Sequence, residues 1–285
     1  MPGLEIERLP ELHNPVAVVA FSGWNDAASA ATDAARYVVR RLGARRFASI
    51  DPEPFYDFSD NRPQATITPT GREITWPKNE FFYARNPAGA HDIIIGVGAE
   101  PDLQWRTFSG YYLELFSRLQ ASLVVSLGAL LADVPHTRPP RVTGTAADPA
   151  VAARLDLTTS RYEGPTGIVG VLHDTLRRQA IEAASLWANV PHYITTAQNP
   201  PATAALLRRL QELLGITFDL RELEESTARF IKEVDTALAA NPEVGDYVRR
   251  LEAAADAEPA VADALPEGED IVLDVEEFLR RQRDD

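Results

Sequence analysis

The first part of the chain alternates short apolar runs with amphipathic stretches. Residues 16–21 form a continuous apolar run rich in Val, which predicts a buried parallel strand. After the turn at residues 22–26, apolar residues recur at helical spacing from Ala27 to Leu42, and residues 47–50 predict a second strand. A strand–helix–strand opening favours a parallel sheet, so the pattern predicts an α/β fold.

The same alternation returns after residue 92 and continues to about residue 218. Apolar runs at residues 93–98, 123–127 and 183–188 predict further core strands. Helical stripes lie between and after them, the clearest from Phe108 to Leu119. We therefore predict one α/β core over residues 1–218.

Residues 51 to about 90 interrupt this alternation. Six prolines fall in this stretch, and alternating segments at 64–70 and 72–76 flank a Thr-Gly turn, which predicts a β-hairpin insertion. Aromatic residues rim this arm at Tyr56, Phe58, Trp76, Phe81 and Phe82. The arm could cover its own core or pack on a neighbouring subunit, and the sequence does not choose between these roles.

The last part of the chain, residues 219–285, is acidic and helical. It contains 20 acidic and 8 basic residues, so it carries most of the formal net charge of −14. Helical stripes run over 223–238 and 242–251. Residues 256–270 lack periodicity and predict a flexible linker, and the short amphipathic segment within 271–283 must then dock on something to be stable.

The composition excludes several kinds of chemistry and partner. Cysteine is absent, which excludes disulfides, thiolate catalysis and Cys-ligated metals and suits a reducing cytoplasm. No apolar run reaches the ~20 residues of a membrane span. The acidic tail and the lack of a Lys/Arg cluster disfavour nucleic acid and anionic membranes as partners. Two interpretations of the acidic tail stay open: it binds a basic protein, or it is a solvated acidic surface without a partner.

Several polar or glycine-bearing turns follow the predicted strands. Ligands of open parallel sheets bind at the carboxyl ends of strands, so these turns are the candidate ligand pocket. The candidates are Gly23, Trp24, Asn25, Asp26, Gly98, Glu100, Gly128, Tyr162, Glu163, Gly164 and Pro165. If the turns meet, the carboxylates of Asp26, Glu100 and Glu163 would shift one another's pKa. The structural alternative is that Asn25 and Asp26 only cap a helix and that Tyr162 and Glu163 belong to an ordinary loop.

Other motifs give little sign of catalysis or of a cofactor. The five histidines are scattered and no His-Glu-x-x-His pair occurs, so we predict no metal. The chain lacks the glycine-rich and lysine motifs that hold nucleotide phosphates, so we predict no cofactor. Ser22 precedes a glycine at a strand end, but no base partner for it is evident in the sequence.

Three stretches resemble the proteasome assembly chaperone 2 family. They are Val18-Val19-Ala20-Phe21-Ser22-Gly23-Trp24-Asn25-Asp26, then Tyr162-Glu163-Gly164-Pro165-Thr166-Gly167, then Ser185-Leu186-Trp187-Ala188-Asn189 through Asn199-Pro200. The resemblance implies a three-layer α/β/α sandwich of the phosphorylase/hydrolase type. It also implies a hairpin insertion used in forming a homotrimer, and a C-terminal helical lid over a ligand pocket. Residues 51–90 and 219–285 fit the insertion and the lid.

Three functions follow from these observations. The first is an assembly or interaction protein, as the resemblance implies. The second is a small-molecule-binding protein in which the C-terminal helix closes over the ligand. The third is a hydrolase- or phosphorylase-like enzyme, which rests on analogy of fold alone.

Overall fold

The computed structural model describes residues 3–86, 89–239 and 242–257. Within these residues eleven strands form two sheets. In chain order they are β1 (Leu4–Ile6), β2 (Val16–Ser22), β3 (Arg45–Ile50), β4 (Gln64–Thr68), β5 (Gly71–Thr75), β6 (Asn79–Ala84), β7 (Ile93–Ala99), β8 (Leu123–Ala132), β9 (Val142–Ala146), β10 (Thr158–Thr159) and β11 (Glu182–Pro191). The helices are a 3₁₀ turn at Ala27–Ser29 followed by α1 (Ala30–Arg41), α2 (Trp105–Leu119), α3 (Pro149–Leu155), α4 (Ile168–Arg177), α5 (Pro200–Leu214), α6 (Arg221–Leu238) and α7 (Pro242–Ala257).

Nine of the strands form one central sheet in the order β1-β3-β6-β7-β2-β8-β11-β9-β10. The four central strands β7, β2, β8 and β11 are parallel, as the apolar runs predict. Outside these four strands the pairing is antiparallel between β6 and β7, β3 and β6, β1 and β3, and β9 and β11, and only β10 at one edge is parallel to its neighbour β9 among the described strands. The sheet is therefore mixed. On one side this follows from β6, which ends the proline-rich stretch and pairs antiparallel with both β3 and β7.

Helices cover both faces of this sheet and make a three-layer α/β/α fold, which confirms the predicted fold class. Along β2 the residues alternate between two cores: Val16, Val18 and Ala20 face α1 and α5. Ala17, Val19 and Phe21 face α2 and α4 on the other side. A strand buried on both faces reads as a continuous apolar run, which explains the pattern at residues 16–21.

The predicted hairpin is present, but the projecting part is shorter than residues 51–90. Phe55 and Tyr56 are buried against the α2 side of the core, and residues 79–84 form β6 of the main sheet. The arm is the two-stranded sheet of β4 and β5, from Gln64 to Thr75. Trp76 at its base packs edge-on against Phe58, with ring centroids 4.7 Å apart.

The two C-terminal helices pack on the α5 side of the fold. Phe230 and Val234 of α6 form a small apolar cluster with Ile194, which follows β11. The helix α7 continues to Ala257, two residues into the predicted linker, and the rest of the linker and the segment 271–283 lie outside the described residues. None of the helices in the part of the chain that the structure describes is both long and apolar enough to span a membrane.

Candidate ligand-binding site

The turns that follow β2, β7 and β10 meet at the carboxyl edge of the sheet. The Glu100 N–H donates to the Ser22 carbonyl at 2.8 Å, which joins the first two turns. The Ile168 N–H donates to Glu100 Oε1 at 2.8 Å, which brings the loop before α4 to the same place. The residues that follow β2 lie beside β8, and the Ala129 N–H of β8 donates to the Asn25 carbonyl at 2.9 Å.

A cavity of about 320 Å³ opens beside this junction, over β9 and β11 and against α4. This volume is at the lower end of the range for small-molecule pockets. Five of the candidate residues from the sequence line it: Trp24, Asn25, Tyr162, Gly164 and Pro165. The other candidates, Gly23, Asp26, Gly98, Glu100, Gly128 and Glu163, are not among the described residues that line it.

Asp26 is held at the start of α1 by hydrogen bonds from that helix. Its Oδ1 accepts from the Ala31 N–H at 2.7 Å, and its Oδ2 accepts from the Thr32 hydroxyl at 2.5 Å. Burial raises the pKa of this carboxyl, and the hydrogen bond from Thr32 opposes that shift. A carboxylate satisfies the free N–H groups at a helix start, so Asp26 serves α1.

Glu100 plays the same part for α4. Its carboxylate accepts from Ile168 in the first turn, and burial raises its pKa while the backbone hydrogen bonds from Ile168 and Trp24 oppose the shift. Gly23, with φ of +134°, lets the turn pass close to this side chain, since a Cβ there would lie 3.2 Å from the Glu100 Cβ. The position that an anionic ligand would take at α4 is therefore already occupied by the protein's own carboxylate.

The mutual pKa shifts that a cluster of Asp26, Glu100 and Glu163 would produce are not found for Asp26 or Glu100. The nearby charge that raises the pKa of Asp26 belongs to Asp33, and the one that raises the pKa of Glu100 belongs to Asp102. Glu163 is exposed on the loop before α4. The three residues follow strands at one edge of the sheet, but Asp26 and Glu100 each accept hydrogen bonds from the start of a different helix.

Among the described residues that line the cavity, Asn25 and His173 have buried side-chain polar atoms without a hydrogen-bond partner. Asn25 is 2% exposed, and neither its Oδ1 nor its Nδ2 has a hydrogen-bond partner among the described residues. The Nε2 of His173 is also buried without such a partner, and burial lowers the pKa of this histidine to about 4. Of the six buried, unpaired side-chain atoms in the described part of the chain, three therefore belong to residues that line one cavity.

The candidates from the sequence do not include His173, Trp187 or four hydroxyl residues on the wall, Thr145, Ser160, Thr166 and Ser185. A signal for His173 existed, because it follows Val169 by four residues and precedes Leu176 by three on the buried stripe of α4. Ser185 and Trp187 stand in one of the stretches that resemble the family, but nothing local predicts that they meet Thr145, since that depends on the pairing of β9 with β11.

Gly128 shapes the cavity without lining it. Trp187 is its register partner on β11, and the indole lies directly over the glycine. A Cβ at position 128 would lie 2.3 Å from ring atoms of Trp187. The glycine thus allows a flat aromatic wall to rest on the sheet.

A second, smaller cavity of about 130 Å³ lies where the C-terminal helices dock, and Phe230, Ala255 and Asp256 belong to its wall. Neither α6 nor α7 contributes a described residue to the wall of the larger cavity. The predicted docking of residues 271–283 falls outside the described residues.

Near this second cavity the polar groups are paired. The Tyr193 hydroxyl accepts from the His136 backbone N–H at 2.8 Å and lies 2.7 Å from Nδ1, while Nε2 lies 3.0 Å from Asp235 Oδ1. Arg138 makes a two-point contact with Asp256 of α7, at 2.9 and 2.8 Å. Within the described ranges no cluster of three His, Asp or Glu residues could hold a metal ion.

Comparison with known proteins gives the family. The sequence pattern of the PAC2 family matches residues 20–238. The chain is similar to a PAC2 family protein from Streptomyces avermitilis, with 43% identity, a TM-score of 0.76, and coverage of 82% of this chain and 99% of that one. It is also similar to a proteasome-assembly chaperone homologue from Mycobacterium tuberculosis, with 39% identity, a TM-score of 0.74 and the same coverage.

A Mycobacterium tuberculosis protein of unknown function also has this fold, with 27% identity, a TM-score of 0.81, and coverage of 90% of this chain and 92% of that one. None of the curated proteins matches the chain. The family pattern covers well over half of the chain, and the two more similar structures span nearly the whole of their own chains. The chain therefore belongs to the PAC2 family.

Proposed function

We propose that this protein is an assembly or interaction protein that binds other protein chains, beginning with copies of itself, through the β4–β5 arm. The observation that carries the proposal is an apolar face on a projecting hairpin. Ile67 is 90% exposed and Ile74 is 56% exposed, and the register of the hairpin places both on one face together with Ala65 and one charged residue, Arg72. Thr66, Glu73 and Thr75 form the polar face opposite.

An isolated two-stranded hairpin gains little stability by itself, so an apolar face on one calls for a covering surface. Trp76, 44% exposed at the base of the arm, extends the apolar area toward the core. The family's hairpin, as the resemblance implies, is used between subunits, and we propose a homotrimer in which each arm packs on a neighbouring copy. The relative described as a proteasome-assembly chaperone homologue supports protein partners beyond the trimer.

Native mass spectrometry and light scattering of the full chain test the arm. The double variant Ile67→Lys with Ile74→Lys should convert the trimer into monomers, because two charges replace the buried apolar contact. Thr66→Lys with Thr75→Lys on the polar face is the matched control and should remain trimeric. A trimer that survives the first double variant, or a wild-type chain that is monomeric, would refute the role of the arm.

Binding of a heterologous partner needs a separate test. Proteasome subunits of the same organism should co-elute with the wild-type chain and with the Thr66→Lys/Thr75→Lys control. If the wild-type chain and the subunits elute separately, the proposed self-association stands and the proposed role in proteasome assembly is refuted.

A second candidate function is binding of a small molecule in the cavity beside α4. The observation that favours it is the buried, unpaired amide of Asn25 on the cavity wall. Buried polar groups are nearly always hydrogen-bonded, so an unpaired amide at a cavity points to a partner from outside the chain. A thermal-shift screen of the full chain against metabolite mixtures tests it, since a bound ligand raises the midpoint of unfolding. Midpoints that stay constant over the whole screen would remove this function.

A further inference from the structure

We propose that the cavity beside α4 takes an uncharged ring compound that carries adjacent hydrogen-bond acceptor and donor groups, such as a cyclic amide or an aromatic carboxamide. This inference rests on the ligand-binding role proposed above and names the chemical class of the ligand. Three properties of the wall lead to it: its lack of charge, its aromatic surfaces and the amide of Asn25.

The lack of charge comes first. The described residues that line the cavity include no Asp, Glu, Lys or Arg. The imidazole of His173 is neutral at physiological pH, because its burial opposes the charged form. A charged ligand would lose its hydration here without gaining an opposite charge, which is costly in a partly enclosed site. The start of α4 does not change this conclusion, since Glu100 already accepts from Ile168 there.

The aromatic surfaces favour a flat ligand. Trp24 comes from the turn after β2, Trp187 from β11, and Tyr162 from the loop before α4, so three separate segments each bring one ring to the wall. Trp187 is held against the sheet over Gly128, and the Tyr162 hydroxyl donates to the Pro165 carbonyl at 2.6 Å. Rings fixed in this way offer apolar faces on which another ring can stack.

The amide of Asn25 sets the polar part of the ligand. A primary amide presents one acceptor and two donors in a plane, so its best neutral complement is another amide edge with a carbonyl beside an N–H. His173 is another residue of the same wall, and its Nε2 has no partner among the described residues. A ligand of this class would supply hydrogen-bond partners for Asn25 and His173, which have none for these atoms among the described residues.

The test compares benzamide, 2-pyridone and benzoate as ligands of the full-length protein, by isothermal titration calorimetry and by the fluorescence of the tryptophans. Benzamide and benzoate have nearly the same shape, and only benzoate is charged. We expect benzamide and 2-pyridone to bind and benzoate to bind at least about tenfold more weakly. The variant Asn25→Leu, which keeps the shape of the side chain, should weaken benzamide about tenfold.

Asn189→Leu is the matched control, because it makes the same replacement on the wall of the smaller cavity. It should leave benzamide binding unchanged. Benzoate binding as tightly as benzamide, or benzamide affinity that does not depend on Asn25, would overturn the assigned class. If none of the three probes binds, the class is also rejected, and water is then the hydrogen-bond partner of the Asn25 amide. Asn25-dependent binding of a different kind of compound would then still uphold the cavity as a ligand site.

Discussion

His136 and the Nε2 of His173 are both buried, but they differ in their hydrogen bonds. His136 has a partner for each of its ring nitrogens and for its backbone N–H, in Tyr193 and Asp235. His173 leaves its Nε2 without a partner among the described residues, beside the equally unpaired amide of Asn25. The first arrangement joins α6 to the core, and the second lines a cavity.

A paired buried group and an unpaired one make different contributions to stability. Hydrogen-bonded polar groups inside a protein specify one packing arrangement and are costly to break. An unpaired group costs free energy in the folded state, and its removal can be neutral or favourable. The stability of variants therefore separates the region that holds the fold together from the region proposed to bind a ligand.

The largest effect should come from His136→Ala. The substitution removes the buried ring and strands the Tyr193 hydroxyl, so we expect the free energy of unfolding to fall by about 3 kcal/mol. Urea unfolding of the full chain measures this loss. His13→Ala, at an exposed histidine, should change stability by less than about 0.5 kcal/mol. Equal effects of the two variants would mean that the His136 contacts do not hold α6 to the core.

Gly128→Ala should have the next largest effect, on the cavity side. The new Cβ would meet the Trp187 indole at 2.3 Å, so the ring must move off the sheet. We expect a loss of about 2 kcal/mol, as for other overpacked sites, with a changed tryptophan emission spectrum. Gly110→Ala in α2 is the control. A Cβ there meets no neighbouring atom within 4 Å, and we expect the stability to rise by about 0.5–1 kcal/mol.

How much of this the sequence predicts depends on how local each feature is. The core strands β2, β7 and β8 are predicted because each is buried on both faces and reads as an unbroken apolar run. The strand β6 is missed, since it follows Pro77 inside a proline-rich stretch and its place beside β7 depends on a long-range pairing. The hairpin β4–β5 is predicted well, because its turn and its alternation are both local.

In the candidate site, too, the sequence predicts the local features and misses those that depend on long-range contacts. The turns at Gly23–Asp26 and Tyr162–Pro165 are visible as strand-end or loop signals, and Asn25 and Tyr162 do reach the cavity wall. The sequence cannot show that Asp26 and Glu100 are used by helix starts, because that depends on which N–H groups lie within reach. It also cannot bring Ser185 beside Thr145, because the register of β9 on β11 is set by packing.

The pH dependence of stability tests the environment of His173. Burial lowers its pKa to about 4 in the folded chain, and an unfolded histidine titrates near ~6.5. The unfolded chain therefore takes up the proton first as the pH falls. The stability contribution is present above about pH 6.5 and is lost as the pH falls toward about 4.

Between about pH 7 and pH 4 the wild-type chain should therefore lose about 2 kcal/mol more than His173→Gln, which does not titrate in this range. Urea unfolding at both pH values measures the difference, and the carboxyl groups titrate alike in both proteins. Parallel pH profiles would show that the imidazole is accessible to water, contrary to the burial of its Nε2.

The smallest effect, and the one of opposite sign, should come from Asn25→Leu. The side chain keeps its shape, and the folded state no longer buries an amide that lacks a protein partner. We expect the free energy of unfolding to rise by about 1 kcal/mol, because the desolvation cost of the amide disappears. Thr203→Val is the contrasting control, since that buried hydroxyl donates to the Asn199 carbonyl at 3.2 Å and its removal should lower stability. A loss of stability in Asn25→Leu as large as in the control would assign the Asn25 amide to the fold and would end the contrast between the two regions.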